Sequence, residues 1–278
     1  MPTVGFSGKL IALAAIAGCT CIASAFACEP GSGVARVIGI APGERVGAAT
    51  GYPPAPLNDH EVILTFDDGP NPQVTPRVLD LLASRCLHAT FFPIGVNAKQ
   101  HPDLVKRELA EGHTVGGHTF SHADLSRLPF SRAKREIQDG FAPLAAVGAP
   151  PAFLRLPELR APKRVMAWIE AQGIAVIGVD IDGSDWKDDP PDEELARIDA
   201  ELAKRGRGII IMHDSEPNTA IYLPRLLVQL QEQGYSIVQI RPGAVATPIQ
   251  DSPAPGSPPA PLSGGAGHPP SPGRGQSG

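Results

Sequence analysis

The chain has no block of basic residues: 24 Lys and Arg stand against 29 Asp and Glu, for a formal net charge of −5. Phosphate backbones are bound through clustered positive charge, so nucleic acid is not an expected partner. Its early apolar run, Leu10 to Gly18, falls short of the roughly 20 residues that cross a bilayer, so no membrane span is expected there. Cysteine is scarce, with four residues, and no catalytic thiol is proposed among them. The mild acidity says little about a substrate, because an uncharged one leaves no charge signature.

What is present begins with size. A length of 278 residues with 42% hydrophobic content supports a sizeable core in one large domain or two small ones. Residues 1–27 read as a signal peptide: Lys9 precedes the apolar run, and Ala23-Ser24-Ala25 or Ala25-Phe26-Ala27 offers small residues for cleavage. Export to the periplasm, cell envelope or medium is therefore expected. Ile16-Ala17-Gly18-Cys19 also resembles a lipoprotein box, which would leave a lipid on Cys19. The apolar residues continuing past Cys19 argue against it. Cys28 and Cys86 would remain after cleavage and could pair in an oxidising compartment; equally, Cys86 reads as a small buried residue on a helix face.

Along the chain, residues 28–60 are rich in Gly and Pro and read as a leader lying over the domain. From Glu61 to Arg241, apolar strand-like runs alternate with helical patterns. The runs are Val62–Phe66, Ala89–Ile94, Thr114–Gly117, Ala152–Leu156, Ile174–Asp180, Gly208–Met212 and Tyr235–Ile240. Between them, Thr75 reads as a helix cap with Pro76 at the first helical position, and helical faces stop at Gly173, Gly206 and Gly234. Strands separated by helices predict an α/β fold with a parallel sheet of about seven strands, closed or nearly closed. In such folds chemistry gathers at the carboxyl ends of strands. Residues 242–278 are Pro, Gly, Ser and Ala with almost no large apolar side chain, and are expected to form a disordered tail without an assigned role.

Chemistry-bearing residues fall at those strand ends. His118 and His122 are four apart and, on a helix, would share one face and suit one metal ion. A carboxylate such as Asp68 would complete a His-His-Asp set with positions left for water and substrate. Asp67-Asp68-Gly69 is also good turn chemistry. Here, however, it ends the buried-type run Val62-Ile63-Leu64, where a charge pair is expensive without partners. Neighbours on a strand point apart, so one carboxylate can hold metal while the other, turned by Gly69, faces water. Arg155 offers either a surface ion pair or a charge that orients a base. His213 ends Ile209–Met212, a strand too apolar to present a histidine casually; it reads either as a satisfied core histidine or as a general acid whose tautomer Asp185 fixes and whose pKa it raises. The remaining histidines, at 60, 88, 101, 113 and 268, read as surface or packing residues.

Thr65–Gly69, His118–His122, Arg155–Pro157, Asp182–Trp186 and Ile211–His213 together resemble the five motifs of the polysaccharide deacetylase (NodB-homology, carbohydrate esterase four) family. The resemblance covers about Glu61 to Ile240. It implies a distorted (β/α) barrel and metal-dependent removal of acetyl groups from glycans containing N-acetylglucosamine, such as chitin oligosaccharides or peptidoglycan. By resemblance Asp67 is the base, Asp68, His118 and His122 hold the metal, Arg155 pairs with Asp67, and Asp185 tunes the acid His213. Pro157, Glu158, Trp186 and Ile211 then face substrate, Trp186 and Ile211 as walls for the acetyl methyl. Nitrogen and oxygen ligands make zinc the default metal, with cobalt or manganese as alternatives. Xylan O-acetyl esterase and silent glycan-binding relative are the competing readings. The third motif departs from the family pattern: an aromatic residue and glycine usually follow the proline, and here Glu158 and Leu159 do.

Overall fold

The computed structural model describes residues 33–187, 189–243 and 247–248. The expected signal peptide, Cys19, Cys28 and nearly all of the tail lie outside them. In chain order the elements are β1 (Arg36–Ile40), β2 (Arg45–Val46), β3 (Glu61–Asp67), α1 (Thr75–Ser84), β4 (Thr90–Phe92), α2 (Gly95–Gln100), α3 (Pro102–Ala110), β5 (Thr114–Val115), α4 (Phe130–Ala146), β6 (Phe153–Leu154), α5 (Lys163–Ala171), β7 (Ala175–Ile177), β8 (Ile181–Asp182), α6 (Pro191–Arg205), β9 (Gly208–His213), α7 (Pro217–Glu232), β10 (Ser236–Pro242) and β11 (Thr247–Pro248).

The strands form a distorted, mostly parallel β/α barrel. β3 pairs with β4 and β4 with β5, and a parallel bridge from Gly117 to Leu154 carries the ladder on to β6. β6 pairs with β7, whose chain runs through Gly178, Val179 and Asp180 into β8; β8 pairs with β9, and β9 returns to β3. Six of the seven apolar runs read from the sequence hold one of these strands; the seventh, Tyr235–Ile240, holds β10, which pairs with β3, and β8 lies outside every run.

Period-2 alternation decides which way each side chain faces. Along β3, Val62, Leu64 and Phe66 pack outward against Val78, Leu79 and Leu82 of α1, Leu195 and Ile198 of α6 and Leu223 and Leu226 of α7. Ile63 faces the other way and packs with Phe92, Phe153, Ile177 and Ile209. Thr65 and Asp67 follow Ile63 on that inner face by the same alternation. β9 repeats the rule: Ile210 and Met212 join the outer cluster and Ile209 the inner one. In register, Asp67 lies opposite His213 and Thr65 opposite Ile211.

Several expectations meet a different arrangement. Part of the leader is built into the sheet: β1 pairs in parallel with β10, β2 with β7, and Ile38, Ile40, Val46, Ala55 and Leu57 lie in the inner core. The pattern was short and interrupted by turns, so its pairing was invisible locally. Regular structure also continues past Arg241, since β10 extends to Pro242 and β11 adds an antiparallel strand to β1. A proline is tolerated there because β11 is an edge strand. Thr75 is the first residue inside α1 rather than its cap, and its hydroxyl donates to the Asp214 carboxylate. Cys86 lies beyond the end of α1, half-buried, so it is not a buried residue on a helix face. It is disulfide-bonded; as Cys86 is the one cysteine among the described residues, the suggested partner Cys28 lies outside them.

Helix α4 presses directly on the turn that carries both histidines. A Cβ on Gly140 would stand 2.5 Å from the Thr119 carbonyl carbon and 2.7 Å from its oxygen. Both are backbone atoms, which cannot swing away. Gly140→Ala is expected to destabilise the fold by about 1–3 kcal/mol through overpacking and to displace the 118–122 turn. Denaturant unfolding reads the first effect; an unchanged midpoint would mean α4 slides freely over the turn.

Candidate active site

At its end, β3 delivers two carboxylates in opposite senses. Asp67 keeps the inner orientation and is almost completely buried, at 1% exposure. Asp68 leaves the strand in a left-handed conformation, φ 68°, so the turn begins at Asp68 itself and not at Gly69. Gly69 is required for another reason: a Cβ there would overlap the Asp214 carboxylate, 2.2 Å from Oδ2. The Asp68 carbonyl accepts a hydrogen bond from Asn97 Nδ2 at 2.9 Å, which pins the turn from α2.

His118 and His122 meet Asp68, but not on a helix. Residues 118–122 form a turn after β5 in which Thr119 (φ 61°) and His122 (φ 56°) are both left-handed. The turn carbonyls of Thr119 and Phe120 accept from the N–H groups of Gly95 and Val96, the first residues of α2. His118 Nε2 lies 3.4 Å and His122 Nε2 3.6 Å from Asp68 Oδ1. The three ligand atoms fall within 4.8 Å of one another. Donors bound at ~2.0–2.1 Å to one tetrahedral ion stand roughly 3.4 Å apart; both histidine nitrogens lie near that distance from Asp68 Oδ1, so the trio is placed to hold a divalent metal once its wider-set atoms draw together. Asp68 Oδ1 is buried without a hydrogen-bond partner, which a cation would satisfy. The Arg155 carbonyl accepts from His118 Nδ1 at 2.8 Å, leaving the Nε2 lone pair free for a metal. Burial holds the His118 pKa below its usual value despite the opposing charges of Asp67 and Asp68, and the neutral ring is the ligating form.

On the other side of Asp67 lies Arg155, with no exposed surface. Its Nη1 donates to Asp67 Oδ1 at 2.8 Å and to Thr65 Oγ1 at 2.7 Å. Nε donates to the Ile177 carbonyl at 3.1 Å and Nη2 to the Gly178 carbonyl at 2.9 Å. The guanidinium carbon also sits 4.4 Å from the Phe92 ring centre. The alternative of a surface ion pair is therefore excluded. One oxygen of Asp67 is tied down, while Oδ2 points to the metal trio, 3.9 Å from His118 Nε2.

His213 Nδ1 lies 2.6 Å from Asp185 Oδ1. Asp185 Oδ2 accepts from the His213 N–H at 2.7 Å, Thr219 Oγ1 at 2.5 Å and Tyr222 OH at 3.3 Å. Burial alone would depress the His213 pKa; the Asp185 hydrogen bond and charge, with Asp67 and Asp68, outweigh it and raise it to about 9. The imidazolium can hold a proton at neutral pH, with Nε2 free to give it away.

Asp67, Asp68, His118, His122 and His213 line one cavity of about 400 Å³ together with Leu156, Glu158, Leu159, Asp182, Trp186 and Ile211. Trp186 stands at its rim, 58% exposed, so of the Asp185-Trp186 pair only the aspartate is buried. Pro157 is buried and heads the turn that presents Glu158. The remaining described histidines stay out of the site; buried His113 accepts the Ala89 N–H, and its pKa falls to about 3, chiefly through burial. The arrangement can bind a cation, accept a proton at Asp67 and donate one from His213.

Sequence reasoning missed Thr65, Thr219, Tyr222 and Asp214. Asp214 is buried beneath Gly69, and desolvation raises its pKa to about 7. Its position directly after His213, at the end of so apolar a strand, was the available signal. Thr219 and Tyr222 had none, because they approach Asp185 from α7.

The chain resembles known proteins throughout this region. Residues 55–177 match the model of the polysaccharide deacetylase family. A chitooligosaccharide deacetylase of Sinorhizobium fredii is 36% identical over 195 residues, covering 63% of this chain and 88% of that protein. Peptidoglycan-N-acetylglucosamine deacetylase PgdA of Listeria monocytogenes is 36% identical over 189 residues, covering 67% of this chain but 39% of that longer protein. Among solved structures, Bdellovibrio bacteriovorus peptidoglycan deacetylase Bd3279 superposes with a TM-score of 0.65 at 28% identity, over 72% of this chain and 56% of that one.

Two outcomes test this geometry. Arg155→Met should destabilise the protein by about 3–5 kcal/mol, because it strands the Asp67 charge in the interior; a smaller loss by denaturant unfolding would show that water reaches Asp67. A proton on His213 stabilises the folded state, since its folded pKa exceeds its unfolded one. That contribution is complete below about pH 6.5 and is lost as pH rises through about 9. Metal-free protein should lose stability across that window, and Asp185→Asn should flatten the loss. Equal slopes for both proteins would contradict the pairing.

Proposed function

Because the chain belongs to the polysaccharide deacetylase family, we propose that it is an exported, metal-dependent hydrolase removing N-acetyl groups from glycans that contain N-acetylglucosamine. The observation that carries this reading is the convergence of Asp68, His118 and His122 beside a buried Asp67–Arg155 pair and a His213–Asp185 pair in one open cavity. Chitin oligosaccharides and peptidoglycan are the substrate classes proposed, in line with the names of the relatives. Export is proposed from the N-terminal pattern; among the described residues no helix is long and apolar enough to cross a membrane.

A divalent metal held by Asp68, His118 and His122, most simply zinc, would supply a Lewis acid that polarises the acetamide carbonyl and acidifies water. Asp67 then acts as the base: Oδ1 stays on Arg155 while Oδ2 takes the proton of the attacking water. Arg155 keeps Asp67 in one orientation, so the base needs no reorganisation. The Glu158 N–H, which makes no hydrogen bond among the described residues, donates to the oxygen that gains charge. Removing such a donor from comparable sites costs about 3–4 kcal/mol. His213 gives its Nε2 proton to the departing amine, while Asp185 stabilises the charged ring up to that moment. Ile211 and Trp186 bound the space left for the acetyl methyl.

Acetate release from N-acetylglucosamine oligomers, lost with chelator and restored by zinc, would support the reading. Release confined to acetylated xylan would replace it with O-acetyl esterase activity. Within this scheme His118→Ala loses metal and activity together, as measured by metal content. His213→Ala keeps its metal while turnover falls about 10²–10⁴-fold. Retained metal in both variants would sink these role assignments.

A further inference from the structure

Glu158 serves the proposed reaction through its backbone N–H, and its side chain has no part in it. Glu158 is an exposed residue and lines the same cavity as Trp186. Among the described residues its carboxylate makes no hydrogen bond and no ion pair. The nearby cation Arg160 feels its charge but is bound to Asp124 Oδ2 at 2.8 Å. Lys187 lies over the Trp186 ring, 5.2 Å from its centre, and is not part of the cavity wall.

The backbone there is unusual. Glu158 (φ 55°, ψ 16°) and Leu159 (φ 54°) are consecutive left-handed residues, neither of them glycine. Such conformations persist where the surroundings over-determine them, and they gather at ligand-binding positions. Buried Leu156 and Pro157 hold the turn from behind, with the Leu159 N–H on the Leu156 carbonyl at 2.9 Å. The turn therefore presents a carboxylate with no internal partner at the mouth of the site. Asp182 adds a second carboxylate to that wall, one oxygen accepting the Ser184 N–H at 2.6 Å. Deeper in, Arg155 balances Asp67 and a divalent metal would balance Asp68, so the uncompensated negative charge lies at the rim, where a neighbouring sugar would sit. The exposed Trp186 gives that sugar an apolar face.

We propose that Glu158 selects oligosaccharides that already carry a free amine: the sugar next to the reacting one places its ammonium against the Glu158 carboxylate. This rests on the reading of the site as an N-deacetylase and narrows its substrate class to partly deacetylated amino-sugar chains. A consequence is that the amine made by one turnover becomes the recognition mark for the next, so deacetylation spreads to neighbouring sugars.

The test uses the full, zinc-loaded chain and E158Q on two tetramers. One is fully N-acetylated, and the other keeps a single acetyl group flanked by free amines. The wild type should favour the amine-bearing tetramer by about two- to five-fold in kcat/KM at low salt, the range of an exposed charge pair. The preference should shrink as salt screens it and vanish in E158Q. A wild type without preference, or an E158Q with the same ratio, overturns the proposal. Calorimetric binding of the fully deacetylated tetramer, which cannot react, is the second measurement and should weaken by a similar factor in E158Q. Glu158-dependent binding without acetate release from either substrate would keep the amine recognition and reject the deacetylase reading. Acetate release with equal binding and equal ratios would do the reverse.

Discussion

A guanidinium with no exposed surface sets the terms for everything around it. Arg155 spans the inside of the barrel, with two donors committed to the carbonyls of Ile177, the last residue of β7, and of Gly178 just after it, and a third shared by Thr65 and Asp67 of β3. A buried charge of this kind is tolerated only when its partner and its remaining donors are all in place. The pair therefore ties the β6–β7 side of the barrel to β3, and it fixes one oxygen of Asp67 while leaving the other facing the cavity. Removing either partner leaves an isolated charge, so the same contact serves stability and the proposed chemistry.

Around that pair the site divides its electrostatics by burial and by partner. His118 and His213 stand on either side of Asp67 and are driven in opposite directions. His118, wholly buried and held through Nδ1 by a carbonyl, is kept neutral and ready to ligate. His213 faces a carboxylate instead and is held protonated. Because its Nδ1 partner differs, the same side chain is suited to ligation in one place and to proton donation in the other. A metal on Asp68 would offset part of the negative field at His213 and bring its pKa closer to neutrality, which suits an acid that must give up its proton.

The loops that carry these groups adopt conformations that local preference disfavours. Asp68, Thr119, His122 and Glu158 all have positive φ without being glycine. Each is braced by tertiary contact: Asn97 on the Asp68 carbonyl, α2 N–H groups on the 119–120 carbonyls, and buried Leu156 and Pro157 beneath Glu158. Short helix α2, unremarked in the sequence, thus braces both the turn of Asp68 and the turn of the two histidines. Gly140 and Gly69 show the same economy of space, the first where α4 meets the His118–His122 turn and the second above Asp214.

The amino-acid pattern by itself determined the strand and helix alternation, the seven main strand positions and the identity of the residues that converge. The alternation follows from hydrophobic periodicity, and Asp67, Arg155 and His213 stand out by their expense at the ends of apolar strands, both local properties of the chain; the full set with Asp68, His118, His122 and Asp185 followed from the resemblance of the five segments to the family motifs. Only the tertiary structure decided that the two histidines meet on a left-handed turn, because spacing alone cannot tell a helix from a turn braced by α2. It alone drew the β1 and β2 segments into sheets, since those pairings depend on partners far along the chain, β10 for β1 and β7 for β2. And it alone recruited Thr219, Tyr222 and Thr65 as supports, for a hydroxyl acquires its role from the carboxylate or guanidinium that packing brings to it.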